Sequence, residues 1–453
     1  MSRPGTIRRS PAAPPTARLM RFFRDFARIE ASGSILLMVA TVASLAWANS
    51  RWSELYFSVW ESKAVIGVGA ISLEKPLLAW INDALMALFF LVIGLEIKRE
   101  LLVGPLADRR RAALPIAAAF GGMLLPAAAY AALNVGTPSA RGWGIPMATD
   151  IAFALGILAV LRDRIPLGLK VFLAALAIAD DLGAVLIIAL FYTAKIGWLY
   201  LGIGGAFFGC LIAANAVGVR QSVVYGLLGF GLWVCFLKSG VHATVAGILL
   251  AATIPARARI DVDEFLHAGT GLLSQFRWAG GHGEGPFFSR ERQAAVYALE
   301  RACESVETPL QRLERRLHPW VTFAVLPLFA LANAGVKLGG DIGSALSSPE
   351  ALGVACGLLL GKPIGIVALS WLAVRIGLAA LPAGVTWAHI WGAGFLAGIG
   401  FTMSLFIASL AFGQSPTLTM AKTGILVGSL ASGVVGWALL RFAASPPTSL
   451  DER

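Results

Sequence analysis

The chain has 453 residues, 57% of them hydrophobic and only 14% charged, with a mean hydropathy of +0.75. That balance excludes an ordinary soluble domain and describes an integral membrane protein. Four scattered cysteines offer neither a disulfide framework nor a zinc site, and the placement of the +11 net charge argues against a nucleic-acid partner, as shown below.

Residues 1–25 are rich in Pro, Ala and Arg and read as a short disordered cytoplasmic tail. No compact apolar core follows in the window that a cleaved signal peptide needs. Apolar spans then recur at about 30–48, 77–97, 113–134, 145–162, 169–193, 198–218, 222–237, 241–255, 319–336, 350–373, 388–412 and 419–440. That is about twelve, most near the roughly 20 residues a membrane helix needs. The pair 222–237 and 241–255 is short for full crossings. The expected organisation is spans 1–8 in 26–255, a cytoplasmic insert loop at 256–317, spans 9–12 in 318–441 and a cytoplasmic tail at 442–453.

Between the first two spans, AVIGVGAISLE (64–74) alternates in part around central glycines, which suits an exposed β-hairpin; an irregular loop is the equal alternative. With the N-terminus inside, the inner loops and tails hold 28 of the 37 Lys and Arg, the outer ones eight, and Lys362 lies within a span. By the positive-inside rule both termini are cytoplasmic, and membrane topology accounts for the basic charge.

The fifth span, LGLKVFLAALAIADDLGAVLIIALFYT, carries adjacent acids near its middle, Asp180 and Asp181. One charge at that depth costs roughly 3 kcal/mol, and two repel each other. Such a pair either binds something or is neutralised by a Lys or Arg to pin helix packing. Lys362, in LLLGKPIGI, is a basic residue deep in a span, and it needs an acid such as Asp180 or Asp181.

Two spans look interrupted. IPMATDIAFALG carries Pro146, Thr149 and Asp150; GAGFLAGIGFTMSLFIASL carries Gly392, Gly394, Gly398 and Gly400 ahead of Thr402. They occupy corresponding places, in 113–193 and 350–440. Breaks in matching positions of two halves point to an inverted-repeat transporter. Unwound backbone exposes N–H and carbonyl groups, and Asp150 could neutralise the positive helix ends. For Gly392 and Gly394 alone, close helix packing is the simpler reading.

Other polar residues sit near helix ends. Asp83 lies in AWINDALM. Glu96 and Arg99, in LVIGLEIKRE, are three apart and can face each other, or can simply form a solvated helix end. In the insert, 279–287 (AGGHGEGPF) reads as a flexible linker. Val296, Leu299, Cys303, Val306, Leu310, Leu313 and Leu317 then trace an amphipathic helix, interrupted at Thr308-Pro309, where a new helix can start with an N-cap and Pro at its first position. This insert is too short for an enzyme domain and suits regulation or packing.

The motifs WINDALMALFFLVIGLEIKREL, PMATDIAFALG, ALAIADDLGAVLIIALFYT, LKSGVHATVAG, LHPW, PLFALANAGV, LLGKPIGI and GIGFTMSLFIASLAFG, in this order from about 30 to 440, resemble the NhaA-type sodium/proton antiporters of bacterial inner membranes. NhaA-type proteins are themselves an example of the inverted-repeat architecture. The resemblance implies an all-α polytopic membrane protein with two discontinuous crossing helices and a small periplasmic β-hairpin. It implies that Asp180 and Asp181 bind the ion and the protons, with Lys362 paired to Asp180. Thr149 and Asp150, with Thr402 aligned opposite, would support the site, and Asp83 would be a second-span acid of lesser role. Glu96, Arg99, Glu314 and His318 match positions tied to pH activation at a cytoplasmic funnel, and His242 matches a histidine implicated in pH response. The 64–74 hairpin matches the dimer contact. The insert makes the loop after the eighth span about fifty residues longer than in compact members, and Arg315 stands where some place a histidine.

Na⁺, a hard cation, takes oxygen ligands, which Asp181, helped by Asp180 and backbone carbonyls, can supply. Burial disfavours a charged carboxyl and a nearby cation restores it, so one site can hold protons or Na⁺ but not both. The expected function is therefore electrogenic Na⁺ (or Li⁺)/H⁺ antiport, pH-regulated, in a bacterial inner membrane, by a homodimer, with no cofactor and no enzymatic activity. A cation channel or another ion-coupled secondary transporter is the alternative. An intramembrane aspartyl protease needs its acids on separate spans. A prenyl or phosphoryl transferase needs spaced acid clusters near the surface for Mg²⁺.

Overall fold

Backbone polar groups in hydrocarbon must be satisfied within the segment, so the apolar spans become helices. The computed structural model describes residues 15–68, 71–161, 164–193, 196–257, 262–278, 290–337 and 346–443. Among them, eight helices are long and apolar enough to cross a membrane, or up to ten if each of two bent pairs is one span. The expectation of about twelve is not reached on length alone, for physical reasons. The 241–255 stretch yields only Thr244–Thr253, ten residues, or about 15 Å of helix. The 319–336 stretch is entered earlier, by a helix that starts at Pro309 and runs through a wide π turn (Val321–Val325) into Leu326–Asn333. The first span is the end of a longer helix, Pro15–Ala48, so residues 15–25 of the expected loose tail are helical. After it the chain turns by 113° into Ser53–Glu61.

The 64–74 stretch is a hairpin: Lys63–Val68 pairs antiparallel with Ile71–Pro76, with Val65 opposite Glu74. Trp80 Nε1 donates to the Ala64 carbonyl at 3.1 Å and ties the hairpin to the second span, Leu77–Val103.

In the insert, Val262–Trp278 and Arg290–Val306 pack on each other. The Leu310 N–H donates to the Pro255 carbonyl at 3.2 Å and joins the roots of the loop. Thr308 caps the next helix through the Gln311 N–H, with Pro309 at its first position, as its sequence indicates. The expected linker 279–287 lies outside the described residues.

The helix carrying Lys362, Pro349–Arg375, packs most extensively on Arg109–Leu133. Glycines make that approach possible: a Cβ on Gly121 would stand 2.0 Å from the Gly365 carbonyl oxygen, and the converse holds for Gly365. The acid-pair helix, Leu167–Phe191, packs beside Arg109–Leu133.

Both interrupted spans are broken where expected. In the first, a 3₁₀ segment (Pro138–Met147) ends at Ala148, whose backbone is extended, and a helix restarts at Ile151. In the second, Trp387–Ala397 and Phe401–Phe412 meet at 45°. The breaks touch: the Asp150 N–H donates to the Ile399 carbonyl at 2.6 Å, and Thr149 Oγ1 to the Ala397 carbonyl at 2.9 Å. Glycines make the second break compact: a Cβ on Gly398 would lie 2.3 Å from the Leu358 carbonyl oxygen of the Lys362 helix, and one on Gly400 would lie 3.0 Å from the Ala148 carbonyl oxygen of the other broken span. Gly392 and Gly394 face Leu440 and Pro363 and serve helix packing.

Candidate functional site

The acid pair faces the crossing. Asp180 and Asp181 are each 1% exposed and Lys362 is fully buried. Asp180 Oδ2 accepts from Lys362 Nζ at 2.7 Å and from Thr149 Oγ1 at 2.6 Å. Lys362 Nζ also donates to the Met147 carbonyl, which the break leaves free of helix bonding. Asp180 is thus held by a cation and a hydroxyl. Its neighbour is not: among the described residues, neither carboxylate oxygen of Asp181 has a hydrogen-bond partner.

A buried carboxylate without partners is costly unless a proton or a cation supplies what the protein withholds. Asp181 lines a cavity of about 50 Å³ with Thr149, Asp150 and Thr402. That is room for a few waters or a partly dehydrated ion. Hard oxygen donors suit Na⁺, and the described residues hold no cluster of three or more His, Cys, Asp or Glu for a tightly bound transition metal.

Asp150 serves the helix ends. It accepts from the Phe153 N–H at 3.2 Å, from the Thr402 N–H at 3.0 Å and from Thr402 Oγ1. One carboxylate therefore meets the N-termini of both helices that restart after the breaks, where unpaired N–H groups concentrate positive charge.

The same cavity extends to Glu96 and His318. Arg99 lies 3.8 Å from Glu96, 3.0 Å from Glu100 and in direct contact with Glu314, more than two hundred residues away in sequence. The helix ends bearing Glu96, Arg99, Glu314 and His318 thus come together at one mouth. Asp83 and His242 are elsewhere. Asp83 sits thirteen residues before Glu96 on the same helix, roughly 20 Å along its axis. There its Oδ2 pairs with Lys75 of the hairpin at 2.7 Å, and His242 Nε2 stands 4.0 Å from Oδ1. His242 Nδ1 meets Thr244 Oγ1 at 2.8 Å.

Sequence reasoning missed three partners. The Met147 and Ala397 carbonyls are backbone groups, signalled only by the nearby Pro146 and glycines. Lys98 donates to the Ala252 and Ile254 carbonyls at 2.6 and 2.5 Å and closes the C-terminus of Thr244–Thr253, although its position read as part of a charged helix end.

Comparison with known proteins agrees with this geometry. The family described as Na+/H+ antiporter 1 matches residues 24–440. The chain is 52% identical over 432 residues to the Na(+)/H(+) antiporter NhaA of Oleidesulfovibrio alaskensis, covering 95% of this chain and 96% of that one. It is 50% identical over 430 residues to Na(+)/H(+) antiporter NhaA 2 of Syntrophotalea carbinolica, covering 95% and 98%. With the Na(+)/H(+) antiporter NhaA of an Escherichia coli O1:K1 strain it shares 46% over 431 residues, 94% of this chain and all of that one. These alignments run nearly end to end on both partners. The chain belongs to the NhaA family of Na⁺/H⁺ antiporters.

Proposed function

We propose that this chain exports Na⁺, or Li⁺, in exchange for protons across a bacterial inner membrane, with both termini in the cytoplasm. The observation that carries this reading is Asp181: a buried carboxylate with no hydrogen-bond partner among the described residues, on the wall of a cavity, beside an Asp180 that Lys362 already holds.

In the proton-loaded state Asp181 is protonated and the Asp180–Lys362 pair is closed. Na⁺ entering from the Glu96 mouth displaces the Asp181 proton and draws Asp180 towards itself. The freed ammonium then gives up a proton, so the second proton belongs to the coupled Asp180–Lys362 pair. Thr149 and Thr402 hold the crossing in register, and Asp150 balances the helix ends. Two protons inward against one Na⁺ outward carries one net positive charge inward. A membrane potential negative inside then contributes about 2.3 kcal/mol per charge per 100 mV to Na⁺ export.

The Arg99 network with Glu96, Glu314 and His318 regulates access with pH, since histidine changes charge most readily between pH 5 and 8. The hairpin supports a homodimer, because a two-stranded sheet leaves edges that a second copy can extend. The test is Na⁺-dependent pH change in vesicles containing the purified protein. Exchange that appears only with Na⁺ or Li⁺ and scales with potential supports the proposal. Na⁺ flux without proton flux sinks it in favour of a channel.

A further inference from the structure

The helices Arg109–Leu133 and Pro349–Arg375 touch at Gly121 and Gly365, each near the middle of its helix. Gly361 meets Pro126 and Leu369 meets Gly121, so the two run antiparallel. Each contact glycine directly follows an exposed residue, Phe120 on one helix and Ile364 on the other. The step from exposed residue to glycine is a turn of about 100° in the same sense on both. In an antiparallel pair the two exposed faces therefore lie on the same side of the contact. Each face is an apolar stripe that ends in an arginine: Phe120, Ile116 and Arg109 on one, Ile364, Trp371 and Arg375 on the other, all exposed. Arg109 lies about 18 Å, and Arg375 about 15 Å, along its helix from the glycine contact, towards the same end. That end is the face of Glu96, because only a short link joins Leu77–Val103 to Arg109. The distance is about half the thickness of the hydrocarbon core, so both guanidiniums reach headgroup level. Among the described residues neither has an acidic partner. The nearby acid, Asp108, caps the helix through the Arg110 N–H at 2.9 Å and stands 3.6 Å from Arg111 Nε.

We propose that this two-helix surface binds an anionic phospholipid, its phosphate held between Arg109 and Arg375 and its acyl chains lying along the two apolar stripes. Guanidinium is the side-chain group best matched to phosphate, and basic pockets between membrane helices take anionic headgroups. Charge and polarity together select the occupant. A soluble phosphate leaves the stripes uncovered, and a zwitterionic lipid brings its own cation to two arginines that already lack a counter-charge. A bound anionic lipid ties the end of the Lys362 helix to its neighbour.

The test uses the full chain with Cys210, Cys235, Cys303 and Cys356 replaced and a bimane fluorophore on Ala368→Cys, an exposed position on the Ile364–Trp371 stripe. The protein is placed in equimolar phosphatidylglycerol and phosphatidylcholine, with bromine on the chains of one lipid or the other. Brominated phosphatidylglycerol should quench the label about threefold or more better than brominated phosphatidylcholine, and Arg109→Gln with Arg375→Gln should bring the ratio close to one. A ratio below about two in the parent chain, or a high ratio that the double variant keeps, overturns the site. If the double variant does not insert, Arg375→Gln alone is read by the same criterion. A preference abolished by excess inorganic phosphate at constant ionic strength assigns the arginines to a soluble anion and overturns the lipid. Quenching needs no transport, and the bromine is in both leaflets, so the outcome is independent of the antiport reading and of the topology.

Discussion

Asp180 and Asp181 are chemically identical neighbours on one helix, yet their surroundings give them different partners. Asp180 is tied to Lys362 and Thr149; Asp181 is left open to the cavity. Asp181→Asn keeps the volume and removes the charge. We expect it to abolish Na⁺/H⁺ exchange with less than about a 1 kcal/mol change in stability, since the side chain bonds to no described group. Exchange at the native rate in Asp181→Asn vesicles would remove Asp181 from the site. Lys362→Ala is a different kind of change. It leaves Asp180 buried without its cation, a loss of about 3–5 kcal/mol where a buried pair is broken from one side. A melting temperature and pH profile both equal to the native ones would contradict any structural or proton-carrying role for Lys362. The residue types here were legible in the sequence, because intramembrane charges are rare enough to stand out. Their division of labour was not, because it depends on the Thr149 hydroxyl and the Met147 carbonyl, which only the crossing brings near.

At the scale of elements, the two breaks were readable from Pro146 and the Gly398–Gly400 pair, and the helix restart at Pro309 from Thr308. Harder to read was Thr244–Thr253, whose apolar run looked like a span but forms only a short helix, closed at its end by Lys98. Apolar composition reports burial, and burial against neighbouring helices looks the same as burial in lipid. The insert is the element least bound to the rest: its two helices pair mainly with each other. Removing 262–304 should therefore leave exchange intact, with Pro255 and Leu310 still able to join the loop ends. Lost exchange in a deletion variant that inserts normally would make the insert part of the transport machinery. At the mouth, Arg99 bridges the helix of Glu96 and the helix of Glu314. The pH–activity curve at saturating Na⁺ should shift its midpoint in Glu96→Cys, Glu314→Cys or His318→Ala. Three unmoved midpoints would make this network a structural clasp.

The whole molecule is polarised. One helix, Leu77–Val103, carries Asp83 towards the hairpin and Glu96 at the opposite mouth, and the Asp181 cavity extends towards Glu96. On the proposed reading a cation meets the acid pair from the Glu96 side, and protons reach the same carboxylates by the same route. Competition at one site therefore fixes the direction of the pH effect. As pH falls, protons occupy the acids and Na⁺ must displace them, so the apparent KM for Na⁺ rises. In the competitive range the rise is about tenfold per pH unit for each proton displaced. Raising Na⁺ restores the rate, so the maximal velocity changes little over that range except for what the Arg99 network adds. Initial rates of Na⁺-driven pH change, measured against Na⁺ concentration at several pH values, separate the two effects. A KM that stays constant while the maximal velocity falls with acidification would mean that protons act at a site apart from Asp180 and Asp181. The acid pair would then be a cation site only, and the proton carriers would have to be sought along the path between Glu96 and Asp150.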